Sequence, residues 1–194
     1  MDIKNIKNEL NSFGAEVVKN ARQNLVAAGK GGGRLEASID FDVKTTADGF
    51  TVQFFMADYG TFVDKGVKGA GGTIKTGKNA GSWGGRRHYV TWEGKRKDSP
   101  YKFGTGTGKK GGLTKGIGSF IRKKGLQPRS EGGQFMTTKG LRAAIVRTIW
   151  IKGIHGISFF QKSLGLGMKK IREELLEAVK ADVIEHLAEF KTMK

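Results

Sequence analysis

Between residues 65 and 124 the chain carries 16 lysines and arginines against two acids, Glu93 and Asp98. That is a net charge of +14, while the remaining residues net only +3 of the total +17. Sixteen of the 31 glycines lie between Gly66 and Gly118. Glycine loses more conformational freedom on ordering than any other residue, and a stretch so charged has little apolar surface to offset that loss. The core is therefore expected from the two ends of a single domain, 1–64 and 117–194, with 65–116 as an inserted extended arm. Structureless insertions of this length are uncommon in compact domains and usually functional.

The ends carry the periodicities of an α+β fold. Ile3, Ile6, Leu10, Phe13, Val17, Ala21 and Leu25 recur at three- and four-residue steps and predict an amphipathic helix, closed by the glycines of 29–33. Ile39, Phe41 and Val43, then Phe50, Val52, Phe54 and Met56, alternate with polar residues around Asp48-Gly49. That pattern predicts an antiparallel hairpin with one buried face. Tyr59, Phe62 and Val63 predict one or two helical turns after it. Within the arm, 86–93 reads as a short strand and 117–125 as a short helix.

Towards the C-terminus, Thr137 stands where a cap is needed and Gly153 where a helix ends. Leu141, Ile145, Ile149 and Trp150 form the apolar face between them. Ser158 is a candidate cap for a short helix through Phe159 and Phe160. A last helix is expected over about 168–191, with Ile171, Leu175, Val179, Val183, Leu187 and Phe190 on one face. The expected architecture is a small hairpin-based antiparallel sheet packed by N- and C-terminal helices.

Several chemistries find little support. With no cysteine there is no disulfide or thiolate chemistry, as in a reducing cytoplasm. The first ten residues are charged and periodic, unlike a signal peptide, and no apolar run reaches the roughly 20 residues that span a bilayer. His88, His155 and His186 show no metal-ligand spacing. Residues 72–79 approximate a phosphate-binding loop, but Asn79 replaces the magnesium-binding hydroxyl and no apolar strand precedes it. A glycine pattern over 106–111 is equally without context. No catalytic residue, metal site or cofactor is expected.

The arm has a sharper reading. Arg86, Arg87, Lys95, Arg96, Lys97, Lys109 and Lys110 are interleaved with Trp83, His88, Tyr89, Trp92, Tyr101 and Phe103. Arginine and large aromatics dominate protein interfaces, and basic–aromatic surfaces also bind single-stranded nucleic acid. Both readings stay open. The expected assembly interface is Trp83, Arg86, Arg87, Tyr89, Trp92, Tyr101 and Phe103.

Two segments carry a resemblance. Tyr59-Gly-Thr-Phe-Val-Asp-Lys-Gly66 and Lys152-Gly-Ile-His-Gly-Ile-Ser-Phe-Phe160, with the N-terminal helix and hairpin and the C-terminal helix, resemble the neck proteins of long-tailed bacteriophages. That family comprises head–tail joining and tail-completion proteins. The resemblance covers most of the chain outside the arm and departs at Ser158, where the family commonly has proline. It implies a non-enzymatic ring subunit of the virion neck, made in the host cytoplasm. Its partners would be copies of itself and portal, adaptor or tail-tube proteins, with nonspecific DNA contact and no membrane. Tyr59, Phe62, Val63, Asp64, Gly66, Phe159 and Phe160 would anchor arm to core, Asp64 as a helix cap or a ring-contact charge.

Overall fold

The N-terminal stripe forms a helix, as its spacing predicts, in a computed structural model that describes residues 4–46, 49–75, 77–78, 80–103, 112–127, 129 and 137–192, the last four as backbone alone. In chain order the elements are α1 (Lys4–Ala27), α2 (Arg34–Ala37), β1 (Asp40–Thr46), β2 (Gly49–Phe55), α3 (Gly60–Lys65), β3 (Val67–Lys68), β4 (Gly72–Ile74), β5 (Gly81–Trp83), β6 (His88–Val90), β7 (Arg96–Asp98), α4 (Gly112–Lys123), α5 (Thr138–Lys152), β8 (Gly153–Ile154) and α6 (Phe159–Thr192). The fold is α+β, its strands paired two by two. The chain divides into two compact units. One comprises Met1–Asp64, Val90–Lys97 and Ile157–Lys194, the other Lys65–Tyr89 and Asp98–Gly156.

The first unit is built on an antiparallel pair, α1 and α6. Phe13, Val17, Val18, Ala21 and Leu25 of α1 are buried, while Ile6 and Leu10 are half-buried. Ile3, Asp48, Lys109, Lys110 and the glycine pattern over 106–111 lie outside the described residues. Along the pair, Asn24 Nδ2 donates to Ser163 Oγ at 3.0 Å, and Lys170 Nζ meets Glu16 at 2.9 Å. The β1–β2 hairpin lies against this pair in the register Phe41↔Phe54 and Val43↔Val52. Phe54 sets its ring edge-on to Phe13 and to Phe160, at 6.2 and 5.4 Å between centroids. Fully buried Phe159 and Ile39 complete the core, each worth about 1.5–3 kcal/mol relative to exposure.

The C-terminal segment departs from the sequence reading. A short helix at Ser158–Phe160 and a separate one from about 168 were expected, but α6 runs unbroken for 34 residues. Its glycines are points of close approach. A Cβ on Gly165 would strike the carbonyl of Trp92, and one on Gly167 would stand 2.7 Å from the Phe13 ring. The expected single apolar face also divides. Ile171 is buried and Leu175 half-buried, whereas Val179, Val183 and Leu187 are exposed. The side chain of Phe190 lies outside the described residues.

The second unit contains most of the expected arm. Its described part is organised: β3 pairs with β8, β4 with β5, and Lys68 bridges Lys102. Strands β6 and β7 pair in one two-stranded sheet. Helices α4 and α5 belong to this unit as well, not to the core of the first, and Val90–Lys97 belongs to the first unit. The expected core of 1–64 and 117–194 with an arm at 65–116 is corrected accordingly. The reason is again close backbone approach. Gly153, at φ +79°, lies against the carbonyl of Val67, and Gly85, at φ +67°, against that of Gly69. No side chain fits at either place. Ala70 and Gly71 donate their amides to Trp150 and Ile151 at 2.8 and 3.2 Å, closing the end of α5. Helix α5 begins at Thr137, whose hydroxyl accepts from Gly140 N at 3.1 Å, and ends before Gly153, both as expected.

Candidate assembly surface

Most residues expected at an interface lie on the second unit, where several aromatic rings are held by neighbouring side chains. Lys152 Nζ sits 3.6 Å from the centroid of Trp83, which is 37% exposed. Phe103 stacks on Trp150 at 5.5 Å, a tryptophan placed on the apolar face of its helix by the sequence spacing and 42% exposed. Lys65 Nζ stands 5.8 Å over half-buried Tyr89. A cation over an indole face stabilises by about 0.5–2 kcal/mol, depending on exposure. Trp83 and Trp150 are thus held in place while remaining exposed.

The other expected interface residues differ in kind. Arg86 is exposed, while Arg87 is half-buried with its Nε enclosed, and its carbonyl accepts from Ser99 N at 2.8 Å. Tyr101 is half-buried; its carbonyl accepts from Lys68 N at 2.7 Å. Fully buried Ser99, which nothing in the sequence marked, donates its hydroxyl to Gly66 O at 2.8 Å. Trp92 lies on the first unit, 44% exposed.

Charge follows the same division. The second unit holds 18 of the 35 lysines and arginines and two of the 18 acids, a net +16; the first holds 17 and 16, a net +1. Asp98, one of those two acids, accepts from His88 Nδ1 at 2.7 Å and lies 3.4 Å from Lys68 Nζ. Burial pushes its carboxyl up, but Lys68 and His88 outweigh this and hold it below the usual carboxylate range. Nearly the whole surplus of cationic charge therefore sits on one unit, in the form that attracts polyanions and acidic surfaces.

On the first unit, the resemblance-bearing residues assemble around the start of α6. Asp64, 2% exposed, accepts from Phe160 N at 2.9 Å and Gln161 N at 3.4 Å. It supplies from another element the cap that Ser158 was expected to give. Ser158 sits at φ +54°, rare for a residue other than glycine. Its amide donates to Asp64 O at 2.9 Å, and its hydroxyl accepts from Val90 N at 2.8 Å. Trp92 N donates to Gln161 Oε1 at 3.2 Å. The tip of the β6–β7 hairpin is therefore pinned to the first turn of α6.

Of the expected anchors, Val63, Asp64, Gly66, Phe159 and Phe160 are buried or half-buried, but Tyr59 and Phe62 are 44% and 42% exposed. The buried face of α3 starts one residue later than the apolar spacing indicates. Gly60 packs against Met56 and Leu35, and Asp64 follows one turn on. A glycine and an aspartate on that face leave no hydrophobic signal.

The far end of the helix pair repeats the device. Asp182, fully buried, accepts from the amides of Asn5 and Ile6, both at 3.0 Å, at the start of α1. Burial pushes its carboxyl up, but those hydrogen bonds prevail and hold it below the usual range. Each long helix thus receives a carboxylate where its unpaired amides and dipole favour one.

The chain matches no family model, no curated protein and no solved structure. Among the described residues there is no group of three or more His, Asp or Glu side chains placed to hold a metal ion, and no helix long and apolar enough to cross a membrane. A groove of about 670 Å³ on the first unit, lined among others by Val18, Arg22, Val26, Glu36 and Phe41, is open to solvent.

Proposed function

We propose that the chain is a structural protein of a tailed-bacteriophage virion, an oligomeric ring subunit at the head–tail neck that acts without catalysis. The observation that carries this reading is the separation of roles between the units. One, nearly neutral, is built on a long helix pair capped at both ends by buried carboxylates; the other concentrates +16 of net charge with two exposed tryptophans, Trp83 under Lys152 and Trp150 stacked on Phe103. A subunit that joins neighbours needs a rigid body and an adhesive surface, and aromatic and arginine anchors supply binding energy out of proportion to their number. The segments that resemble neck proteins, 59–66 and 152–160, include the residues that cap α6 and close β8 against β3.

The test is genetic. In a phage that encodes the chain, a nonsense mutation in its gene should leave DNA-filled heads and free tails unjoined. Infectious particles lacking the protein would remove the reading.

A second reading, nucleic-acid binding, is favoured by Trp83, which presents an indole beside Lys152 on the most basic surface. Titration on two unrelated DNA sequences separates the two. Neck assembly predicts weak, equal, salt-sensitive affinity of about 10⁻⁴–10⁻⁶ M. Tight binding to one sequence favours nucleic-acid recognition.

A further inference from the structure

The distal half of α6 presents an uncovered apolar face. Leu176, Val179, Val183, Ile184 and Leu187 are 56%, 37%, 40%, 66% and 62% exposed. Leu176, Val179, Val183 and Leu187 follow at steps of three and four residues, and Ile184, three before Leu187, widens the same side of the helix. At 1.5 Å per residue the stripe is about 16 Å long. Five large apolar side chains aligned in the open mark an interaction site. The helix is also acidic here. From Glu173 to Glu185 it carries five acids against Lys180 alone, and the four glutamates among them are all exposed, Asp182 being turned into the α1 cap.

The second unit offers the opposite character. On α4, Phe120 is 48% exposed, with exposed Lys123 and Lys124 one turn on. One turn back, Gly116 leaves open space where a Cβ would point. An exposed aromatic, a neighbouring notch without a side chain and two flanking cations form a receptor for an apolar, acidic helix. The unit's net +16 leaves almost no acid of its own to compete.

We infer that the acidic apolar face of distal α6 docks on the basic Phe120 face of α4 in a second copy of this chain. The contact joins two different surfaces, so it is head-to-tail: an open chain of subunits keeps one free surface of each kind at its ends, and successive contacts close into a ring or run on as a filament. This inference rests on the assembly reading and identifies the contact that reading requires.

Two variants test it by sedimentation velocity. Leu176→Ser/Ile184→Ser/Leu187→Ser removes the donor face and Phe120→Ser/Lys123→Glu/Lys124→Glu the acceptor face. Wild type is expected to sediment as an oligomer and each variant as a monomer. An equimolar mixture of the two variants should form a heterodimer and nothing larger, because only one intact pair of surfaces remains. Circular dichroism checks that both stay folded. Should either lose its helix signal, the charge-only pair Glu173→Lys/Glu177→Lys and Lys123→Glu/Lys124→Glu replaces it: each alone is expected to be a monomer, and the mixture, whose reversed charges complement one another, to assemble beyond the heterodimer. A wild type that stays monomeric overturns the inference, as do variants that assemble like wild type or a mixture that stays monomeric. Unimpaired assembly by the variants would leave the neck reading standing, whereas intact infectious particles without the protein would remove that reading and leave the self-contact to be judged on sedimentation alone.

Discussion

Single residues divide here into those that the apolar pattern reveals and those that only geometry does. Phe159 and Phe62 are a pair on which the two disagree. Both are phenylalanines in resemblance-bearing segments, but Phe159 is fully buried and Phe62 is 42% exposed. Phe159→Ala should cost about 3–5 kcal/mol in urea unfolding, and Phe62→Ala no more than about 1 kcal/mol, within the ordinary range for point substitutions. Equal losses would contradict the placement of α3. Asp64→Ala should cost about 0.5–2 kcal/mol, the usual worth of a helix cap.

Asp182 makes a pH-dependent contribution whose sign is fixed by its hydrogen bonds. Its folded pKa lies below the unfolded value, about 3.9 for an aspartate. The stabilisation it supplies is therefore complete above the unfolded value and is lost as pH falls through the folded one. Asp182→Asn should lower stability at neutral pH and flatten the acid limb of a stability–pH curve. An unchanged acid limb would show that the α1 cap contributes nothing through its charge. Asp182 was not legible in its role, and Asp64 stood only between two roles, helix cap or ring-contact charge, because each caps a helix distant in sequence: Asp64 lies 96 residues from Phe160, and Asp182 lies 177 from Asn5.

At the scale of elements, periodicity located α1, the β1–β2 hairpin and α5, since each satisfies its pattern with near neighbours and local caps. It failed where glycine has two opposite meanings. Gly165 and Gly167 lie between the two helices expected there, but they let α6 pass close to the Trp92 carbonyl and the Phe13 ring. Gly165→Ala therefore separates propensity from packing. In an exposed helix the change would stabilise by about 0.8–1 kcal/mol. Here it should destabilise, and amide hydrogen exchange at 90–97 should speed up as the hairpin tip loses its seat. Slower exchange there would contradict the contact. Gly69 and Gly85 likewise fall in the stretch read as a loose arm and Gly153 was read only as a helix end, when all three bring backbones of the second unit together. The exposed stripe of α6 was visible as apolar spacing, but spacing alone does not say which turns are covered.

For the whole molecule, what matters is the distribution of charge over the two units, +1 and +16. The basic stretch was plain in the sequence; its membership of a unit containing α4 and α5 was not, because pairings such as β3 with β8 span more than eighty residues. A surface this cationic binds any polyanion by counterion release, so DNA affinity alone identifies no function. What separates an assembly protein from a nucleic-acid reader is a defined stoichiometry with itself. The direct measurement is mass photometry of the wild-type chain across a dilution series, without nucleic acid. The account predicts one discrete mass, a whole multiple of 21.1 kDa, that persists without DNA and gives way to monomer on dilution. A chain that stays monomeric throughout, and changes mass only when DNA is added, would contradict it.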